Sequence, residues 1–105
     1  MKRGINNICY GFFSTLANPT RLAILEILKF GPKNVSSLAD ELSQEQSMVS
    51  HNLKLLERCH FINSERRGKE KYVSLNNGLI EPLFNLVEAH SEAYCGGGED
   101  CPFNI

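Results

Sequence analysis

The 105 residues contain no run long and apolar enough to cross a membrane. They hold no internal repeat and no low-complexity linker. The opening MKRGINNICYGFF carries two cations, but no long apolar region followed by a small-residue cleavage site, so it does not read as a signal peptide. A cytoplasmic setting is the expectation, and there the four cysteines are reduced thiols or ligands rather than disulfide staples. No Walker loop, Ser-His-Asp set or pair of carboxylates in a suggestive context occurs, so no enzyme is expected. The net charge of −1 lacks the excess of a wholly basic polyanion binder. The length suits one domain with one modest core.

What is present is unevenly spread. From His51 to Lys71 there are six cations (Lys54, Arg58, Arg66, Arg67, Lys69, Lys71) against three acids (Glu57, Glu65, Glu70). From Leu79 onward there are five acids and no Lys or Arg. A near-neutral chain with a basic middle can still hold a polyanion on one face.

The apolar spacing predicts five helices. Ile5, Ile8, Cys9, Phe12 and Leu16 share a stripe over residues 5–16. Asn18-Pro19 marks a helix start, with Asn as N-cap and Pro in the first turn. That second helix runs to about Phe30, with Leu22, Ile24, Leu25, Ile27 and Leu28 largely buried, and Gly31-Pro32 stops it. Val35 to Leu42 is a short third helix capped by Ser36 or Ser37. Ser43 to Arg58 is the fourth, with Ser43 and Gln46 spaced as a capping box. One face of it carries Met48, Val49, Leu53, Leu55 and Leu56; the other carries Ser47, Ser50, His51, Lys54 and Arg58. A row of hydroxyls, an imidazole and cations suits a DNA major groove, where base edges offer acceptors beside phosphates.

After Arg58 the pattern becomes extended. Residues 61–67 and 70–75 flank Gly68-Lys69, a hairpin signal with a basic tip. A solvated turn is the ordinary explanation of such a tip; a wing on phosphates or in a minor groove is the functional one. A fifth helix covers about Ile80 to Tyr94 and is expected to begin at Pro82, which cannot sit deep inside it. Leu83, Leu86, Val87, His90 and Tyr94 line one face. The order of elements reads as a winged helix-turn-helix, mainly α with a small β-hairpin. Residues 1–94 form the domain, and residues 95–105 a Cys- and Gly-rich tail.

The stretches LANPTRLAILEIL (16–28), SSLADEL (36–42), QSMVSHNLKLLE (46–57) and FINSERRGKEKYVSLN (61–76) resemble the ArsR/SmtB family of metal-sensing repressors. The resemblance implies a homodimer joined mainly by its first and last helices, and this places Ile5, Ile8, Phe12, Leu83, Leu86, Val87 and His90 at the interface. It implies that each subunit sets residues 46–58 in a major groove of double-stranded operator DNA bearing an inverted repeat. Gln46, Ser47, Ser50, His51, Asn52, Lys54 and Arg58 are then the groove-facing residues, with Arg66, Arg67 and Lys69 on the backbone. Three positions here depart from the family pattern. Cys59 and His60 stand where alanine and glycine are usual, and Asn52 where a histidine is typical. His tolerates a left-handed helix end better than most residues.

DNA binding needs no cofactor in this reading; the ion is the inducer. The Cys-x-Cys pair of one family sensor site is matched by Asn34 and Ser36, so that site is absent. The histidine site on the last helix keeps only His90. Cys95 and Cys101 bracket a Gly-rich loop that looks like the C-terminal thiolate site of arsenite-responsive members, although Tyr94 replaces the first of its cysteine pair. Cys9 is the candidate third donor, or else a packing residue. Trivalent arsenic is the first choice of inducer, a soft metal ion or a dithiol switch at Cys95 and Cys101 the second. The alternative from another class is a winged-helix protein-interaction module, which salt dependence distinguishes from a DNA binder.

Overall fold

The computed structural model describes residues 10–96. Its elements are α1 (Tyr10–Leu16), α2 (Pro19–Leu28), β1 (Lys33–Asn34), α3 (Val35–Leu42), α4 (Gln46–Arg58), β2 (Ile62–Arg67), β3 (Glu70–Leu75) and α5 (Asn77–Tyr94). The expected first helix starts earlier, at residue 5, and that part lies outside the described residues.

Local chemistry explains most boundaries. The Asn18 side chain accepts from the Arg21 N–H at 3.0 Å, and Pro19 opens α2 as expected. Asn34, and neither Ser36 nor Ser37, caps α3, its Oδ1 accepting from Ser37 N at 2.8 Å. Ser43 caps nothing on α4. It is the left-handed residue that ends α3, at φ 54°, and Gln44 N closes onto Ala39 O at 3.0 Å. Glu45 takes the N-cap position of α4 with no side-chain bond, so the expected capping box does not form. His60 does take the left-handed conformation, at φ 61°, and Phe61 N returns to Leu56 O.

α5 begins at Asn77, five residues before Pro82. The missing Pro82 N–H would have paired with the Gly78 carbonyl one turn back. Gly78 is exposed, so water can take that bond. Fully buried Ile80 fixes the turn against the core.

The wing is a three-stranded antiparallel sheet in the order β1-β3-β2. Arg67 faces Glu70 across the turn, and Gly68 there takes φ 64°. β1, two residues pairing Lys33 with Val73 and Asn34 with Tyr72, adds an edge that the hairpin reading lacked. Ile24, Leu25 and Leu28 of α2, Leu38 of α3, Val49, Leu53 and Leu56 of α4, then Phe61, Ile62, Val73 and Ile80 make the core. Each such side chain contributes about 1.5–3 kcal/mol by burial, and this holds α4 and the wing on one body. No helix of the described residues is long and apolar enough to cross a membrane.

Candidate nucleic-acid interface

α4 buries Val49, Leu53 and Leu56 and leaves Gln46, Ser47, Ser50, His51, Lys54 and Arg58 exposed. Helical periodicity therefore presents one continuous polar face ending in two cations. Asn52 does not belong to it. This side chain is 5% exposed; its Oδ1 accepts from Arg21 Nη1 at 3.0 Å and its Nδ2 donates to Met48 O at 3.1 Å. It is a buried strut, and the expectation that it reaches DNA is corrected. Met48, expected in the core, is 54% exposed at the edge of the helix.

The wing stands beside that face. Gln46, Ser50, Arg66, Lys69 and Lys71, with Asn34, Val35, Ser36 and Glu70, line one groove of about 360 Å³. Gln46 Nε2 donates to Ser36 Oγ at 3.0 Å, so the start of α3 is part of the surface. Ser36 and Lys71 are not among the DNA contacts expected from the sequence. The helix-turn-helix order itself carries the signal, since it packs the N-terminus of its first helix beside the second.

The wing cations differ in their surroundings. Arg67 pairs with Glu65 at 3.5 Å and lies 4.7 Å from the Tyr72 ring centre. Lys71 Nζ sits 2.9 Å from Glu57 Oε2. Arg66 and Lys69 have no ion pair among the described residues. Glu57 also accepts from the Ser64 hydroxyl. These two hydrogen bonds, first Ser64 and then Lys71, hold its carboxyl below the ordinary Glu value, against the opposing effect of burial.

A second surface is apolar. Phe13, Leu16, Ala17, Leu22, Leu83, Phe84 and Val87 line a groove of about 420 Å³ between α1, α2 and α5. Leu86 is 67% exposed, Val87 55% and Phe13 59%. Phe12 instead packs on Phe61 of its own chain, with ring centres 5.0 Å apart, and Leu83 is half-buried. His90 is exposed and leans on Tyr94 at 5.3 Å. Ile5 and Ile8 lie outside the described residues.

Cys95 is half-buried just past the last turn of α5. Cys9 and Cys101 lie outside the described residues. Among the described residues no group of three His, Cys, Asp or Glu side chains is placed to hold a metal ion. Cys59 is half-buried, its sulfur 3.4 Å from Thr15 Oγ1.

Comparison with known proteins agrees with this geometry. Residues 18–64 match the family described as bacterial regulatory protein, arsR family. The chain is 38% identical over 77 residues to HTH-type transcriptional regulator NmtR of Mycobacterium tuberculosis, covering 73% of this chain and 64% of NmtR. It is 30% identical over 83 residues to transcriptional repressor SdpR of Bacillus subtilis, covering 79% of this chain and 88% of SdpR. A probable mercury resistance operon repressor of Streptomyces lividans is 29% identical over 76 residues, 72% of this chain and 61% of that one. The chain thus spans under two thirds of NmtR and of the mercury operon repressor. Rv0081 of Mycobacterium tuberculosis superposes with a TM-score of 0.78 at 25% identity, covering 90% of this chain and 97% of that one. Mb0332 of Mycobacterium bovis, described as a homodimeric winged helix-turn-helix DNA-binding domain, gives 0.75 at 23% identity, covering 90% of each chain. With an SdpR match across most of that protein's length and this fold, the chain belongs to the ArsR family of bacterial regulatory proteins.

Proposed function

We propose that the chain is a homodimeric transcriptional repressor that binds an inverted repeat in operator DNA and leaves it when an inducer engages its thiols. The observation that carries the DNA reading is the shared groove: Gln46 and Ser50 of α4 face the same space as Arg66 and Lys69 of the wing. Polar side chains there can meet base edges while the cations meet phosphates, the division of labour a winged helix uses. Ser47, His51, Lys54 and Arg58 extend the contact along α4. Residues 1–94 carry DNA binding and dimerisation, and residues 95–105 are the sensing tail.

The second half of α5 supports the dimer. Residues 85–90 are all exposed, and apolar Leu86 and Val87 among them continue the groove that Phe13 and Leu22 line. A second copy of that face removes the patch from water.

Cys95 supports the inducer site, with Cys101 and Cys9 as its partners. Its thiol sits at the end of the helix that carries the dimer face. Soft ligands of this kind suit trivalent arsenic or a soft metal ion. Drawing Cys101 onto an ion at Cys95 reorders the end of α5 and alters the spacing of the two α4 helices. By linkage the inducer must bind the DNA-free form more tightly.

One titration tests the whole reading. Fluorescence anisotropy follows the protein on a labelled duplex at several salt concentrations, then on addition of arsenite. The expected results are affinity falling steeply with salt, release by arsenite, and no release from the double variant Cys95→Ser, Cys101→Ser. Salt-independent binding removes the DNA role. Release of the double variant at the wild-type arsenite concentration removes the tail site.

A further inference from the structure

We infer that Glu57 is a positioning residue for DNA binding: it locks the wing to the recognition helix, and the lock governs sequence discrimination more than total affinity. The inference rests on the DNA-binding reading above.

Glu57 lies in the last turn of α4, one residue before Arg58. One carboxylate oxygen accepts from Ser64 on β2, and the other accepts from Lys71 on β3 at 2.9 Å. A single side chain of the helix thus holds both long strands of the wing. The site is shielded in part, with the Glu57 side chain 31% exposed and that of Lys71 40%. Charge-assisted bonds in such surroundings are stronger than neutral ones. Nearer the tip the hairpin is held by Asn34 Nδ2 on Glu70 at 3.1 Å, while β1 pairs with Tyr72 and Val73 on the other edge of β3, level with Glu65 and Ser64.

The consequence concerns register. Base contacts from α4 and backbone contacts from the wing form together only when the two are fixed relative to each other. A rigid pair loses less freedom on its matching site and cannot adjust to a wrong one. A loosened wing follows the phosphates of any sequence. The carboxylate also neutralises Lys71, a cation lining the groove. Without Glu57 that ammonium becomes an additional phosphate contact.

The test compares Glu57→Ala, Glu57→Gln and Ser64→Ala with the wild type by anisotropy. The probes are a duplex selected by the wild type from a randomised library and a scrambled duplex, each at several salt concentrations. For Glu57→Ala the specificity ratio should fall about tenfold. Scrambled binding should hold or rise, and the salt slope should steepen by about 0.9, one phosphate contact. Glu57→Gln keeps an acceptor and should recover part of the ratio. Ser64→Ala removes one arm without changing charge, so it should lower the ratio and leave the slope alone. Equal losses on both duplexes would mean general destabilisation and overturn the inference. Equal gains on both, with Glu57→Gln identical to Glu57→Ala, would mean simple charge removal and overturn it too. A wild type that binds neither duplex defeats the DNA reading itself, and the inference with it. A discriminating wild type with equally discriminating variants defeats the inference alone.

Discussion

Arg21 Nη1 donates to Asn52 Oδ1 at 3.0 Å, joining α2 to the buried side of the recognition helix. The same guanidinium donates through Nε to Thr15 O at 2.6 Å and through Nη2 to Ser14 O at 3.4 Å. It therefore collects carbonyls from the last turn of α1 and an amide from α4. Asn52 completes the chain by donating to Met48 O one turn back. A half-buried cation spread over three helices fixes the orientation of α4 relative to α1.

Replacing Asn52 with Ala should leave a guanidinium donor short of an acceptor. The expected cost is about 1–2 kcal/mol, read as a fall in Tm of about 5–10 °C. The salt slope of DNA binding should not change, because Asn52 faces away from the groove. A stable variant with a shallower slope would return Asn52 to the interface.

Wing cations should differ in proportion to their partners. Arg66→Ala and Lys69→Ala should each reduce the salt slope by about one and weaken binding to all sequences alike. Arg67→Ala should do less, because Glu65 already offsets its charge and Tyr72 holds it. Anisotropy against salt checks this; three unchanged slopes would remove the wing from the interface.

The element order and the polar face of α4 were legible because both rest on local chemistry: Asn18-Pro19, Gly31-Pro32, the period of the apolar residues and Gly68 in its turn. The misassignment of Asn52 came from residue type overriding position. It stands three residues after Val49 and four before Leu56, both fully buried, and that spacing already places it on the core side. Its partner Arg21 lies 31 positions away, out of reach of any local pattern. The Ser43 reading failed for a related reason, since one serine can cap the next helix or end the last, and backbone geometry decides. Strand β1 is too short for a period of two to show. Ser64 and Lys71 meet Glu57 only once the hairpin folds back on α4.

The apolar face of α5 separates association from folding. Leu86 is 67% exposed in the single chain, so Leu86→Ala should weaken dimerisation while barely altering the fold of each subunit. Ile80 is fully buried, and Ile80→Ala should cost about 2–5 kcal/mol of folding stability instead. Sedimentation and thermal unfolding read the two effects. An unchanged dimer constant for Leu86→Ala would take this residue out of the interface.

Acid should loosen the wing. The Glu57 carboxyl titrates below its ordinary value of 4.5 through Ser64 and Lys71, with lesser help from Lys54. A lowered folded pKa means that the stabilisation is complete above the unfolded value and lost as pH falls through the folded one. Stability should therefore drop below about pH 4.5, and Glu57→Gln should flatten that part of the profile. Chemical denaturation across pH measures it, and identical acid limbs for both proteins would contradict the assignment.

Binding of operator DNA by a two-fold dimer is read by a hydroxyl-radical footprint of the purified protein on a duplex it has itself selected from a randomised library. The expected result is two protected patches related by a two-fold axis, centred about 34–36 Å or a multiple of that apart, with fainter protection outside them from the wings. Protection at one patch only, or none at any salt concentration, would contradict it.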